Sequence, residues 1–117
     1  MTEKMKIIDF LRENQLDAIF VQKDENCRYL SKFTGSDSYL LLKKEELYLL
    51  TDSRYTEQAR KEAADYTVVD YKGHLAEIVA KLAGEYHIKT MGVETVFSYQ
   101  MYLSFHEYMP NIEFRFS

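Results

Sequence analysis

"YLLLKKEELYLL", Tyr39 to Leu50, is the stretch whose reading decides the fold. Two apolar runs, Tyr39–Leu42 and Leu47–Leu50, flank the charged "KKEE" of Lys43–Glu46. Neither run alternates apolar with polar residues, so both faces of each strand must be covered. The pattern predicts a β-hairpin in the middle of a sheet, with helices on both sides and a charged, solvated tip.

Working outward, "TEKMKIIDFLREN" (Thr2–Asn14) places Met5, Ile8 and Leu11 at helical spacing, widened by Ile7 and Phe10, with Thr2 as N-cap. "DAIFV" (Asp17–Val21) reads as a buried strand. "DENCRYLSKF" (Asp24–Phe33) reads as a short helix ending near Ser31. Beyond the hairpin, "TDSRYTEQARKEAA" predicts a cap and a helix with Tyr55, Ala59 and Ala63 on one face. "YTVVDY" is a β-branched strand. "HLAEIVAKLAGEY" is a helix inward-facing at Leu75, Ile78, Val79 and Leu82, with Gly84 as its C-cap. "KTMGVE" is a short strand. "SYQMYLSFHEYM" is a helix facing inward through Met101, Phe105 and Tyr108, ended by Pro110. "NIEFRFS" alternates Ile112, Phe114 and Phe116 with Glu113 and Arg115, as a half-buried strand does. The order α-β-α-β-β-α-β-α-β-α-β predicts a single α/β domain over residues 1–117. Its sheet is mixed and six-stranded, with helices on both faces. The last strand runs to the end of the chain without a polar tail, as expected of a piece of a longer protein.

Composition narrows the function classes. The 117 residues carry a net charge of −4 with both signs interspersed, which argues against a nucleic-acid partner. Ten Tyr and seven Phe supply much of the core volume. The single cysteine, Cys27, excludes an internal disulfide and reads as a small buried hydrophobe. No run approaches the ~20 apolar residues of a membrane span, and the N-terminus lacks a signal peptide's apolar segment. A cytoplasmic protein is expected.

The chain shows no self-contained active site. His74, His87 and His106 are too dispersed to form a local metal motif, and each sits beside an apolar helix face made by other residues. "KDE" at Lys23–Glu25 and "KKEE" read as solvated turns, and "GVE" at Gly92 is too short for a dinucleotide fingerprint. Two features remain. In "FTGSDS", Phe33–Ser38, Gly35 can take a positive φ, while Thr34, Ser36, Asp37 and Ser38 either cap local N–H groups or present a surface to something else. In "TDSRY", Asp52 or Ser53 is an N-cap, but Arg54 is a cation in a helix's first turn, where the macrodipole opposes it. Arg54 therefore needs an anion. Asp52 or Glu57 is the internal choice, and a substrate or partner carboxylate is the external one.

Together, "NCRYLSKFTGSDSYLLL" and "LYLLTDSRYTEQA" resemble the N-terminal domain of the creatinase/prolidase/aminopeptidase P metallopeptidases. Its pattern is roughly N-x-x-Y-L-(S/T)-G-F-x-G-S, an apolar hairpin, then T-D-x-R-Y-x-x-Q-A. Asn26, Tyr29, Leu30, Ser31, Phe33, Gly35, Ser36, Thr51, Asp52, Arg54, Tyr55, Gln58 and Ala59 match it. The chain departs from it at Lys32, where glycine is common, and at Ser38, where another glycine often sits; both changes stiffen the loop.

The resemblance implies a ribonuclease H-like α/β fold and an accessory role, most like that of a bacterial X-Pro dipeptidase. It implies a separate "pita-bread" catalytic domain holding two divalent metal ions, manganese or cobalt, and a homodimer. It also implies that Arg54, Asp37 and Ser38 face the substrate while Phe33, Thr34, Gly35 and Ser36 form a loop at the subunit interface. The isolated chain is then expected to be inactive. Other readings are a binding module of a paralogue without catalysis, the N-domain of creatinase or aminopeptidase P, and a regulatory domain binding a small anion at Arg54 and the Gly35 loop.

Overall fold

The computed structural model describes residues 3–84 and 88–116; the expected cap Thr2 and His87 lie outside them. Helices α1 (Glu3–Glu13), α2 (Asp24–Ser31), α3 (Thr56–Glu62), α4 (Leu75–Gly84) and α5 (Tyr99–Tyr108) alternate with six strands. These are β1 (Ala18–Val21), β2 (Tyr39–Lys43), β3 (Leu47–Thr51), β4 (Thr67–Asp70), β5 (Thr90–Val93) and β6 (Glu113–Phe116). They form one sheet in the order β4-β3-β2-β1-β5-β6. β1–β2 and β2–β3 are antiparallel, whereas β3–β4, β1–β5 and β5–β6 are parallel.

The hairpin explains the layers. Successive strand residues point to opposite faces. Leu40, Leu42, Leu47 and Leu49 pack with Ile7, Leu11, Cys27 and Ala59, so α1, α2 and α3 cover one face. Leu41, Tyr48 and Leu50 pack with Phe20, Val79, Met91 and Phe105 beneath α4 and α5. Each fully buried leucine contributes roughly 1.5–3 kcal/mol, which is why neither run could alternate with polar residues.

Several side chains depart from the sequence expectation. In α1, Ile7 and Leu11 are buried, while Met5 and Phe10 are exposed. A helix lying on a flat sheet covers only a narrow stripe, and five apolar positions overfill it. Tyr108 is exposed and Phe105 and Met109 hold the buried side of that segment, because α5 ends one residue before Met109. α4 is described to Gly84, whose φ is not left-handed, and the residues after it, which the expected C-cap concerns, lie outside the described ones.

The hairpin tip is not fully solvated either. Lys43 is 0% exposed, shares the α4/α5 face by strand parity, and donates from Nζ to the carbonyl of Leu82 at 2.8 Å. Its ammonium also lies 4.9 Å from the centre of the Tyr48 ring. A cation at the end of α4 meets the negative pole of that helix, which favours its burial there.

α2 ends on Lys32, which takes a left-handed φ of 72° and donates its N–H to Arg28 O. A side chain in that conformation costs on the order of 1 kcal/mol. Lys32→Gly relieves it and is expected to stabilise the chain by roughly 0.5–1 kcal/mol. The check is a higher urea midpoint at unchanged m-value; an unchanged or lower midpoint would refute it.

Candidate functional site

The two segments that carry the resemblance meet in space. Glu62, at the end of α3, accepts from Thr34 N at 2.8 Å and Thr34 Oγ1 at 2.9 Å through its Oε1. Gln58, one helical turn earlier, donates from Nε2 to Glu62 Oε2 at 3.1 Å and to Thr34 Oγ1 at 3.3 Å. The 33–38 loop is thus tied to α3 rather than self-satisfied. Gln58 lies within the matched motif, whereas Glu62 lies beyond it; its only signal in the sequence was the i, i+4 spacing from Gln58.

These bonds hold the Glu62 carboxyl below its usual range, the Thr34 backbone N–H being the largest cause. A depressed native pKa means the stabilisation is full above the unfolded pKa and is lost as pH falls through the native one. The stability difference between the chain and Glu62→Gln is therefore expected to be largest near neutral pH and to shrink below ~4, the ordinary carboxylate range. Urea denaturation of both proteins across that range tests it, and a pH-independent difference would count against it.

Within the loop the residues divide sharply. Phe33, expected at an interface, is 1% exposed and belongs to the core with Leu40 and Cys27. An apolar ring gains more under α1–α3 than in solvent. Gly35 is not in the left-handed region; Lys32 and Asp37 are. The glycine is needed for close approach, since a Cβ there would lie 2.3 Å from Phe33 Cζ. Thr34, Ser36 and Asp37 are exposed. Ser38, expected to face substrate, is 2% exposed and turned into the domain, where its carbonyl accepts from Cys27 Sγ at 3.6 Å. Burial, followed by the nearby Glu94 and Asp24 charges, pushes the Cys27 thiol up to about 12, so it is inert at neutral pH.

Arg54 stands in a short 3₁₀ turn, Ser53–Tyr55, between β3 and α3. Asp52 caps that turn, accepting from Arg54 N at 2.9 Å, and grips the guanidinium through Nη2 at 2.7 Å and Nε at 3.1 Å. The internal anion is therefore Asp52, not Glu57. The Arg54 hydrogen bonds hold the Asp52 carboxyl below its usual range, and Asp52 raises Arg54 in turn. Two guanidinium nitrogens are thereby engaged. Nη1 has no partner among the described residues, and the side chain is 67% exposed. The guanidinium also lies over Tyr55, 5.1 Å from its ring centre.

Asp37 and Arg54 lie at the end of the sheet where β3 and β4 finish and β2 begins. The Asp37 charge acts on Arg54, and the Tyr71 hydroxyl, just beyond β4, donates to Asp37 O at 3.4 Å. Burial raises the Tyr71 hydroxyl, with Tyr39, Asp52 and Asp37 adding to it. The result is an exposed cation flanked by two carboxylates and a phenol, on a surface rather than in a closed cleft. It can bind and orient a charged group; it contains no nucleophile–base pair.

Glu94, after β5, carries a role that its sequence context does not announce. It accepts from Gln22 N at 2.6 Å and Lys23 N at 2.7 Å through Oε1, and from Asn26 Nδ2 through Oε2. A carboxylate just beyond a distant strand thus binds the two backbone N–H groups that lead into α2 and the Asn26 side chain in its first turn, next to a helix start that lacks a side-chain cap of its own. No residue-type pattern points to a partner some 70 positions away.

The described residues do not fit a pair of divalent metal ions. Among them no group of three or more His, Cys, Asp or Glu side chains could hold a metal. His74 and His106 are exposed, the latter stacked on Tyr102 at 5.6 Å between ring centres. No described helix is long and apolar enough to cross a membrane.

Comparison with known proteins agrees with this architecture. The chain is 29% identical over 105 residues to the uncharacterized peptidase YqhT of Bacillus subtilis (strain 168), covering 84% of this chain and 30% of that protein. A solved Xaa-Pro dipeptidase from Bacillus anthracis superposes with a TM-score of 0.84 at 30% identity, over 97% of this chain and 32% of that one. The N-terminal domain of the cytoplasmic peptidase PepQ from Mycobacterium tuberculosis H37Rv gives a TM-score of 0.84 at 26% identity, over 98% of this chain and 90% of that one. The chain thus spans about a third of the length of the first two relatives. The family model of the creatinase/prolidase N-terminal domain matches residues 5–115, almost the whole chain. This protein belongs to the creatinase/prolidase N-terminal domain family.

Proposed function

We propose that this domain is the non-catalytic N-terminal accessory unit of a cytoplasmic, homodimeric X-Pro dipeptidase. In this reading it restricts access to an active site carried by a C-terminal catalytic domain. That second domain would supply the two divalent ions and the hydrolytic chemistry. Here Arg54 meets a carboxylate of the X-Pro dipeptide, with Asp37 beside it excluding misplaced anions.

The observation that supports this most directly is the Arg54 guanidinium: two nitrogens held by Asp52, Nη1 without a partner among the described residues, and a side chain that is mostly exposed. An arginine fixed on one edge presents its remaining donors without further ordering cost, as recognition of a planar carboxylate requires. The tied 33–38 loop beside it favours a rigid wall over a mobile lid. Ser38 is left out of the substrate contacts because it is buried.

The test is X-Pro dipeptide hydrolysis with manganese by the full-length parent and its Arg54→Ala and Asp37→Ala variants. A raised KM with the oligomer intact is expected for Arg54→Ala. Asp37→Ala, which removes a negative charge beside the same guanidinium, is expected to lower KM and to relax selection among anions. Unchanged kinetics in both variants would make the domain a scaffold only. An aminopeptidase P reading is favoured by a Streptococcus thermophilus aminopeptidase P structure, at TM-score 0.86 and 25% identity. Adding an X-Pro tripeptide to the same assay separates the two substrate classes.

A further inference from the structure

We infer that β6 is a self-complementary edge through which two copies of this chain pair strand to strand, in one register. β6 closes the sheet order on the side away from β4, and Phe116 on it is 57% exposed. Glu113 donates its N–H inward to Lys89 O at 2.8 Å. By the alternation of a parallel ladder, Arg115 also turns its backbone groups towards β5, whereas Phe114 and Phe116 turn theirs outward. The outward row is a template for a further strand.

Three constraints select the partner and the register. First, antiparallel hydrogen-bonded pairs need outward-facing residues opposite one another, so a second β6 must pair even-numbered with even-numbered positions. This also sets apolar Ile112, Phe114 and Phe116 against one another, and Glu113 and Arg115 against one another. Second, a two-fold axis through Glu113 would set Glu113 against its own copy, and one through Arg115 would oppose two arginines. Like charges directly opposite destabilise a strand pair. Third, an axis through Phe114 sets each Glu113 opposite the partner copy's Arg115, and each Ile112 opposite Phe116. That register makes two ion pairs and covers the exposed Phe116 ring. Because the Ile112 N–H already donates to Met109 O at 3.2 Å, each outer pair is closed by the Phe116 N–H donating to the Ile112 carbonyl of the other copy. It is an isologous contact, closed by its own symmetry.

In the single chain, Glu113 and Arg115 already pair with each other along one face of the strand. Arg115 is held further by a 3.1 Å bond from Nη1 to Gln15 O. Both side chains therefore stand ready on the same face as the crossing pairs would need. This contact gives the homodimer proposed above a named strand, but it uses only residues 112–116 and stands or falls without the peptidase reading.

The experiment is sedimentation equilibrium on the 117-residue chain and four variants, with circular dichroism confirming the fold of each. A concentration-dependent dimer is expected for the parent sequence. Arg115→Glu and Glu113→Arg each replace two attractions by two repulsions and are expected to weaken it about tenfold or more. The double exchange Glu113→Arg/Arg115→Glu is expected to restore it. Phe116→Pro removes an outward N–H that the fold does not use, so it leaves the monomer intact and weakens the dimer. That variant keeps the test decisive if a charge reversal fails to fold. A parent chain that stays monomeric overturns the proposal, as does a dimer indifferent to Phe116→Pro. A double exchange that remains monomeric overturns the register. Kinetics of the full-length parent are not read in this experiment, so its failure is distinct from failure of the substrate assay.

Discussion

Glu94→Ala is expected to destabilise the chain by roughly 2–4 kcal/mol, a large loss for a single polar substitution. The carboxylate accepts from the two backbone N–H groups that lead into α2, those of Gln22 and Lys23, and from the Asn26 amide. Charge-assisted bonds of this kind contribute about 1.5–3 kcal/mol each when formed in isolation, and partial hydration of the site reduces the sum. Alanine also removes a negative charge from the positive end of a helix. Glu94→Gln keeps one acceptor oxygen for the backbone pair and is expected to cost about half as much. Asn26→Ala severs only the third bond, at about 1 kcal/mol. Urea unfolding of the three variants and of the Glu94→Ala/Asn26→Ala double mutant measures the coupling. If Glu94→Ala costs no more than Asn26→Ala, the two backbone bonds contribute nothing and this account is wrong. The same contact gives a physical reason for asparagine at the head of the matched motif: it ties α2 to the segment just after β5, far along the chain.

Arg54→Ala is expected to lower kcat/KM for an X-Pro dipeptide by about 10- to 100-fold in the full-length parent, mainly through KM. That range corresponds to losing one charge-assisted, bidentate contact worth about 1.5–3 kcal/mol. Arg54→Lys keeps the charge but loses the planar fork, so an intermediate loss is expected. Domain stability should hardly change, because the Asp52–Arg54 pair is exposed and such pairs contribute little. Asp52 retains its capping bond to the backbone of residue 54. A kinetic loss accompanied by a lower unfolding midpoint would point instead to damage in the 51–56 turn. Equal kcat/KM for the two proteins would remove Arg54 from the substrate site.

What the sequence made legible followed local rules. The double apolar run could only be a covered hairpin, and α2 spans Asp24–Ser31 as its short pattern indicated. The parity of that hairpin sorts the core into its two layers. What escaped was set by contacts distant in sequence. Lys43 sits in a charged run that looks solvated, yet α4 arrives from elsewhere to offer it a carbonyl. Phe33 lies in a polar loop, yet its ring fills the core over Gly35. Thr34 and Asp37 are exposed, as their polar loop suggested, but the groups that position the loop, Glu62 and Tyr71, lie on later elements. The need of Arg54 for an anion was legible because a helix macrodipole is a local field; which carboxylate answered it depended on a two-residue turn.

β1 occupies an inner place in the sheet, with β2 on one side and β5 on the other. Its first edge is satisfied by the next strand of the chain, whereas its second waits for Thr90–Val93. During synthesis on a ribosome the apolar strand Ala18–Val21 therefore emerges with one side open. At roughly 5–20 residues per second, several seconds pass before its second neighbour is made. The nascent first half, with its three-stranded core of β1, β2 and β3, is the species that a holding chaperone would meet. The arrival of β5 and β6 is the moment at which that open edge closes.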